Sequence, residues 1–253
     1  MRHFIRKMLH PQPKLAWFGR TDTGRVRSHN EDAFCILEDR RLLLVADGMG
    51  GHQAGEVASR LAVDFLAELF SPEQVAKCLG NPQEIRHLLV RGLRQVNEEV
   101  IAKAQGDESL RGMGCTLLAG LFDSDTLHTC HVGDTRCYQK TDKGLQQITT
   151  DHTAVAARRE PARIPGAQPS SRRVLTKAIG FPFSEDPEYH ELRLNDGDRL
   201  LFCSDGLWSM LPPGRIETIM AEAAAPEQAC DRLVEAANEA GGRDNITAVI
   251  VFL

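Results

Sequence analysis

Two segments of this chain end alike: Arg41-Leu-Leu-Leu-Val-Ala-Asp47-Gly48 and Arg199-Leu-Leu-Phe-Cys-Ser-Asp205-Gly206. Each is an apolar run that delivers an aspartate at its C-terminal end and breaks at once on glycine. Asp-Gly is also the commonest turn dipeptide, and Asn195-Asp196-Gly197-Asp198 reads as such a turn without chemistry. Two further acidic segments change the balance. Asn30-Glu31-Asp32 precedes the apolar run 33–37, and Gly241-Gly242-Arg243-Asp244-Asn245 precedes the run 246–253. If the four strand ends meet, their carboxylates repel, and burial makes the repulsion worse. Such a cluster persists by binding cations, and an all-oxygen donor set selects hard ions, Mg²⁺ or Mn²⁺, over zinc. Gly48 lets the backbone approach the ion and offers its carbonyl. Arg27 lies four residues before Glu31. A guanidinium beside a carboxylate–metal site is a fork for a phosphate dianion; its plainer use is a surface ion pair.

Other catalytic signatures are weak. Cys130-His131-Val132-Gly133-Asp134-Thr135-Arg136 has the C-x5-R spacing of cysteine-dependent phosphatases, whose thiolate attacks phosphorus. Cys130, however, falls inside an alternating apolar run, where a thiol is strand interior, and Cys137 follows Arg136. The chain contains no GxxxxGK[ST], HExxH or GxSxG. His128 and His131, three apart on a strand, face opposite sides.

The elements that must position these acids are short. Apolar runs at 33–37, 42–46, 116–122, 127–132, 199–203 and 246–253 read as strands bounded by Gly, Asp and Asn. Helical spacing occurs at 56–70, 82–104, 213–223 and 226–240, three of the four opened by proline. Strands come in adjacent pairs and helix pairs separate the groups, which predicts antiparallel sheets with helices packed outside. The segment 151–175 departs from this pattern: Arg158, Arg159, Arg163, Arg172 and Arg173 stand against Asp151 and Glu160, with three prolines. It reads as an exposed basic flap, suited to phosphopeptides with acidic neighbours.

The 253 residues, 42% of them apolar, suffice for one sizeable core, and a formal net charge of -5 argues against a nucleic-acid protein. Seven cysteines without a CxxC fit a reducing compartment rather than a disulfide framework or a zinc ribbon. No apolar stretch approaches the roughly 18 residues that span a bilayer. Residues 1–14 read as a basic tail rather than a signal peptide, preceding one domain at 15–253.

The motifs in order resemble the metal-dependent Ser/Thr protein phosphatases of the type 2C (PPM) family, in their short bacterial form. The resemblance runs from about Trp17 to the last strand. It is carried by Gly24-Arg25-Val26-Arg27 with Asn30-Glu31-Asp32, Val45-Ala46-Asp47-Gly48-Met49-Gly50-Gly51, Gly114-Cys115-Thr116 and His131-Val132-Gly133-Asp134-Thr135-Arg136. Asp151-His152, Leu175-Thr176-Lys177-Ala178-Ile179-Gly180, Cys203-Ser204-Asp205-Gly206-Leu207-Trp208 and Gly242-Arg243-Asp244-Asn245-Ile246-Thr247 complete it. The resemblance implies an α+β fold, an αββα sandwich of two packed antiparallel sheets flanked by helix pairs, with the flap beside the cleft. It implies two Mn²⁺ or Mg²⁺ ions, and a third in bacterial relatives. Asp47 would bridge the pair, the Gly48 carbonyl would ligate one ion, and Asp205 and Asp244 the other. Glu31 would act through water, Asp134 would hold the third ion with Asp205, and Arg27 would bind the substrate phosphate.

The implied activity is hydrolysis of phosphoserine and phosphothreonine in proteins by a metal-activated water, without a covalent phosphoenzyme. The implied setting is a cytoplasmic monomer opposing a eukaryotic-like Ser/Thr kinase. Met49 stands where some relatives carry a His proposed as general acid, which leaves the proton donor open between a metal-bound water and, more remotely, His52. Trp208 reads as packing beneath the site and Asn245 as a turn residue orienting Asp244. The rival readings are a catalytically inactive phosphoprotein-binding module of the same fold and a cysteine-dependent phosphatase using Cys130 and Arg136.

Overall fold

The computed structural model describes residues 14–50, 54–156 and 172–253. The chain runs through strands β1 (Ala16–Asp22), β2 (Asp32–Leu37) and β3 (Leu42–Met49), then helices α1 (Ala54–Leu69), α2 (Pro72–Cys78) and α3 (Pro82–Gly106). Seven strands follow: β4 (Gly114–Cys115), β5 (Leu117–Asp123), β6 (Thr126–Val132), β7 (Arg136–Thr141), β8 (Gly144–Gln147), β9 (Thr153–Ala156) and β10 (Arg172–Leu175). The described chain closes with β11 (Glu188–Arg193), β12 (Arg199–Cys203), the single turn α4 (Asp205–Trp208), α5 (Pro213–Glu222), α6 (Pro226–Glu239) and β13 (Ile246–Phe252).

The strands form a five-stranded sheet in the order β1-β13-β12-β7-β8 and a six-stranded sheet in the order β11-β6-β5-β3-β2, with β4 on the end of β3. Neighbouring strands in both sheets are antiparallel. Alternation along each strand builds the layers. On β3, Leu43 and Val45 enter the space between the sheets, where Phe122, Leu200, Phe202, Val249 and Val251 meet them. Leu42, Leu44 and Ala46 point the other way, onto Ala58, Ala62 and Leu66 of α1 and Leu89 and Leu93 of α3. The second sheet repeats the device: Leu201, Ala248 and Ile250 face Ile216 and Ile219 of α5 and Leu233 of α6. The four layers are helix pair, sheet, sheet, helix pair. A clean start fixes the long helix α3, because Asn81 accepts the Gln83 and Glu84 amides and Pro82 opens the first turn.

Several elements were not visible in the sequence. Strand β11 (Glu-Tyr-His-Glu-Leu-Arg) pairs only with β6, at the sheet edge, so half its residues can stay polar. Strands β1, β7 and β8 and helix α2 escaped for similar reasons: short length and mixed polarity. The segment 151–175 also differs from the loop expected there. Its ends form a two-stranded antiparallel ribbon, β9 against β10, with Val174 opposite Ala154. Residues 1–13 of the basic tail, His52, and Arg158, Arg159 and Arg163 of the flap lie outside the described residues, as do the side chains of Arg172 and Arg173. No helix among the described residues is long and apolar enough to cross a membrane.

Phe202 is fully buried between the sheets. Phe202→Ala is expected to lower unfolding stability by about 3–5 kcal/mol, read from the urea midpoint at constant slope. A loss below about 1 kcal/mol would mean that the two sheets do not share a close-packed interior.

Candidate metal centre

Asp47 lies at the end of β3, directly opposite Asp32 in the β2–β3 register. Residues paired this way project on one face of a sheet, so two carboxylates meet where like charges destabilise. Asp32 is buried. Its Oδ2 accepts from Ser204 Oγ at 2.7 Å and Thr247 Oγ1 at 2.6 Å. Its Oδ1 is buried with no hydrogen-bond partner among the described residues. Asp205 opens α4 immediately after β12, and its carboxyl shares a hydrogen bond with Asp47. Asp244 lies just before β13, where its Oδ1 accepts the Asn245 amide at 2.9 Å. Asp134 occupies the turn between β6 and β7.

These positions converge. Arg27, Glu31, Asp47, Gly48, Asp134, Asp205 and Asp244 all line one open cleft of about 1420 Å³. The electrostatics record the crowding. Burial, then repulsion from Asp32, Asp205, Asp134 and Asp244, pushes the Asp47 carboxyl well above the usual carboxylate range. Burial and the charges of Asp134, Asp244 and Asp32 raise Asp205 to about 7. Burial raises Asp32 to about 6, against its two hydroxyl hydrogen bonds. Burial also raises Glu31, with Arg27 opposing.

Backbone contacts hold the cluster together. The Gly48 amide donates to the Glu31 carbonyl at 3.0 Å. A Cβ at Gly48 would stand 2.3 Å from the Gly55 carbonyl oxygen and 2.4 Å from that of Glu31, so only glycine lets α1 and the Glu31 turn close on β3. A Cβ at Gly206 would stand 1.9 Å from the Asn245 carbonyl oxygen. That close approach sets Asp205 beside Asp244. Arg27 Nη2 donates to Asp244 Oδ2 at 2.7 Å, with both side chains partly exposed at the cleft edge.

Asn245 and Trp208, read from the sequence as a turn residue and as packing, complete the frame together with Thr116 and Arg136. Asn245 is more than a turn residue: it accepts the Glu31 amide at 2.9 Å and donates to the Thr23 and His29 carbonyls. Thr116 accepts the Asp47 amide, donates its own amide to the Asp47 carbonyl, and meets Thr135, next to Asp134, hydroxyl to hydroxyl. Trp208 lines the cleft and donates Nε1–H to the Asp134 carbonyl at 3.0 Å. Arg136 lies over the Trp208 ring, 3.6 Å from its centroid, and forks onto Asp151 at 2.8 and 2.6 Å. The clue to this trio was motif order: Arg136 follows Asp134, Trp208 follows Asp205, and Asp151 opens the flap.

The thiol alternative does not survive the geometry. Cys130 is buried among the residues packed under α1 and α3, and burial pushes its thiol far up. Its would-be partner Arg136 is bound to Asp151. A second cluster, His131, His152 and Glu188, lies outside the cleft. His152 Nδ1 accepts the Gly133 amide, so its proton is on Nε2, facing Glu188 at 3.3 Å. His131 Nε2 meets the Thr150 carbonyl. These contacts tie the cluster into a hydrogen-bonded network apart from the cleft carboxylates, with His131 Nδ1 buried and without a hydrogen-bond partner among the described residues.

The cleft donors are all oxygen, of one sign and half-buried, with one buried oxygen of Asp32 unpartnered among the described residues. They fit hard divalent cations and not thiophilic ones.

A two-sheet sandwich with acidic strand ends over one cleft defines a hard-cation protein with a phosphate-sized guanidinium at its edge. The sequence matches the profile of the Protein phosphatase 2C family over residues 23–247, and the chain belongs to that family. It is 33% identical over 238 residues to the serine/threonine phosphatase stp of Listeria innocua, covering 92% of this chain and 93% of that one. It is 38% identical to the serine/threonine protein phosphatase PstP of Mycobacterium tuberculosis, covering 93% of this chain and 44% of that longer one. The crystal structure of the PstP catalytic domain in complex with two manganese ions superposes with a TM-score of 0.76 at 32% identity, covering 94% of this chain and 97% of that one.

The raised carboxyls set a sign for pH. A carboxyl whose folded pKa exceeds its unfolded value stabilises the fold fully below the ordinary aspartate value of about 3.9. That stability is lost as pH rises through about 6 for Asp32 and about 7 for Asp205. Divalent ions relieve the same repulsion. The rise in Tm caused by Mn²⁺ over EDTA is therefore expected to be larger near pH 8 than near pH 5.5. Equal rises at both would show that the cluster does not carry the metal.

Proposed function

We propose that this protein hydrolyses phosphoserine and phosphothreonine esters in proteins, using two Mn²⁺ or Mg²⁺ ions. The observation that carries the reading is the half-buried Asp47 carboxyl, pressed by Asp32, Asp134, Asp205 and Asp244 in the cleft that Arg27 edges. Asp47, the Gly48 carbonyl, Asp205 and Asp244 would hold the two ions, with Glu31 reaching one through water. Asp134 with Asp205 would hold a third. Bound divalent ions supply an acidified water as nucleophile and offset charge on the phosphate oxygens.

The chain's own residues do the remainder. Arg27 forks onto the substrate phosphate, and its pairing with Asp244 fixes where the guanidinium waits. Asp32 accepts from Ser204 and Thr247 through Oδ2, which leaves Oδ1 buried without a hydrogen-bond partner among the described residues. Thr116 and Trp208 hold the Asp47 and Asp134 backbones in one frame. Met49 has no titratable group, so the proton for the departing Ser or Thr oxygen would come from water held at the metal site rather than from residue 49. All seven cysteines are free, which supports a reducing cytoplasmic setting. Its partners are phosphorylated proteins and the kinase that modifies them, and it acts as a monomer. A binding-only module would have no use for a full carboxylate set.

Asp47→Asn, Asp205→Asn and Asp244→Asn are each expected to lower kcat/KM on a phosphopeptide by at least about 10³-fold. Arg27→Ala should cost about 10- to 100-fold, chiefly in KM. Wild-type rates in Asp205→Asn, or any turnover left after removal of divalent ions, would overturn the assignment. EDTA should abolish turnover of p-nitrophenyl phosphate and Mn²⁺ restore it, whereas iodoacetamide should leave it intact. Loss on alkylation alone would return Cys130 to consideration.

A further inference from the structure

Among the described residues three large apolar side chains stand markedly exposed: Val26 at 68%, Val174 at 46% and Phe181 at 41%. Scattered apolar residues on a surface need no explanation. Two of these three share one place. Val174 and Phe181 line the same cleft as the carboxylates, and Val26 adjoins Arg27 at its edge.

Phe181 is held out rather than left over. The Gly180 amide donates to Asn97 Oδ1 at 2.7 Å, and Asn97 Nδ2 donates to the Phe181 carbonyl at 3.2 Å. Two residues earlier, Ile179 exchanges both backbone hydrogen bonds with Cys115, at 3.0 and 2.9 Å. The backbone is thus fixed to the end of β3 through β4, while the ring faces the cleft. A Cβ placed on Gly114 would meet Phe181 Cε2 at 2.6 Å and Met49 Cε at 3.0 Å, so the two side-chain tips converge over that glycine. Met49 is two residues from Asp47, and Pro182 continues the same wall.

We propose that Met49, Val174, Phe181 and Pro182 form a shelf for an apolar side chain of the substrate protein beside its phosphorylated residue. The inference rests on the phosphatase reading and deepens it by naming the substrate class: phosphosites flanked by Leu, Ile, Val or Phe. Continuity with the cleft identifies the occupant. The phosphate end of a substrate is met by Arg27 and the carboxylates. An apolar wall in the same cleft serves no phosphate ion; it suits the chain on either side of the ester.

The test uses the full chain with Mn²⁺ and two phosphoserine peptides of equal charge, carrying Leu or Ser on both sides of the phosphoserine. The wild-type protein is expected to favour the Leu peptide about 10-fold in kcat/KM. Phe181→Ser and, separately, Val174→Ser should each bring that ratio at least about threefold nearer to one. Both side chains are exposed, so the core is untouched, and Tm checks folding. A wild-type ratio near one, with both peptides turned over, overturns the shelf and leaves the phosphatase reading standing. So does a ratio unchanged in both variants. Altered sedimentation in the variants at an unchanged ratio would make the patch a self-association surface and overturn it as well. If neither peptide nor p-nitrophenyl phosphate is hydrolysed, both readings fall.

Discussion

The whole architecture answers one electrostatic problem: keeping several half-buried carboxylates together in one cleft. Two unit charges 4 Å apart at an effective dielectric of 20 interact by about 4 kcal/mol. A few such pairs equal the entire stability of an ordinary domain, roughly 5–15 kcal/mol. Asp32, Asp47, Asp134, Asp205 and Asp244 cannot therefore all stay charged at short range in the protein alone. Protons relieve some of the repulsion, as the raised carboxyls of Asp32, Asp47 and Asp205 record. Divalent cations relieve it better at neutral pH. The surrounding fold supplies rigidity: β2 and β3 are locked in register, and Asn245 and Thr116 bind backbone on both sides of the acids.

The division of labour between sheet faces makes this possible. Residues between the sheets are apolar and close-packed, and the outer faces are covered by helices. Neither surface asks anything of the strand ends. The ends of β3 and β12, the turn after β6 and the turn before β13 can then spend their side chains on charge. Glycine at 48 and 206 carries the cost of closeness, because any larger residue would force the acids apart.

How much of this could be read from the chain follows from that division. Buried central strands such as β3, β12 and β13 were legible because both faces are apolar, leaving unbroken runs that end in Asp-Gly or start after Asp-Asn. The long helices were legible from spacing and their opening prolines. Edge strands such as β11 and β1 were not, since only one face is covered and charged residues such as Glu191 and Arg20 interrupt the pattern. At the site, the acids were visible as strand-end outliers. Their supports were not. Asn245 and Trp208 look like turn and packing residues until the distant groups they bind are known, and Thr116 stands in the Gly114-Cys115-Thr116 motif with nothing local to show that it holds the Asp47 backbone. Asp32 was seen as part of an acidic triplet, but its opposition to Asp47 depends on a strand register that composition does not encode.

The neighbour relation of β1 and β13 also ties the cleft to contacts between remote parts of the chain. Ala16 pairs with Phe252 and Asp22 with Ile246, so the two partners lie far apart along the chain. Arg27, Glu31 and Asp47 leave the ribosome early and wait. Asp244, and the Asn245 that clamps their loop, arrive only with the final strand. A growing chain therefore carries most of the cleft yet cannot close it, and contacts so remote along the polypeptide are slow to form. The cleft is therefore complete only when β13 has joined β1, because that pairing brings Asp244 and Asn245 to the Glu31 turn.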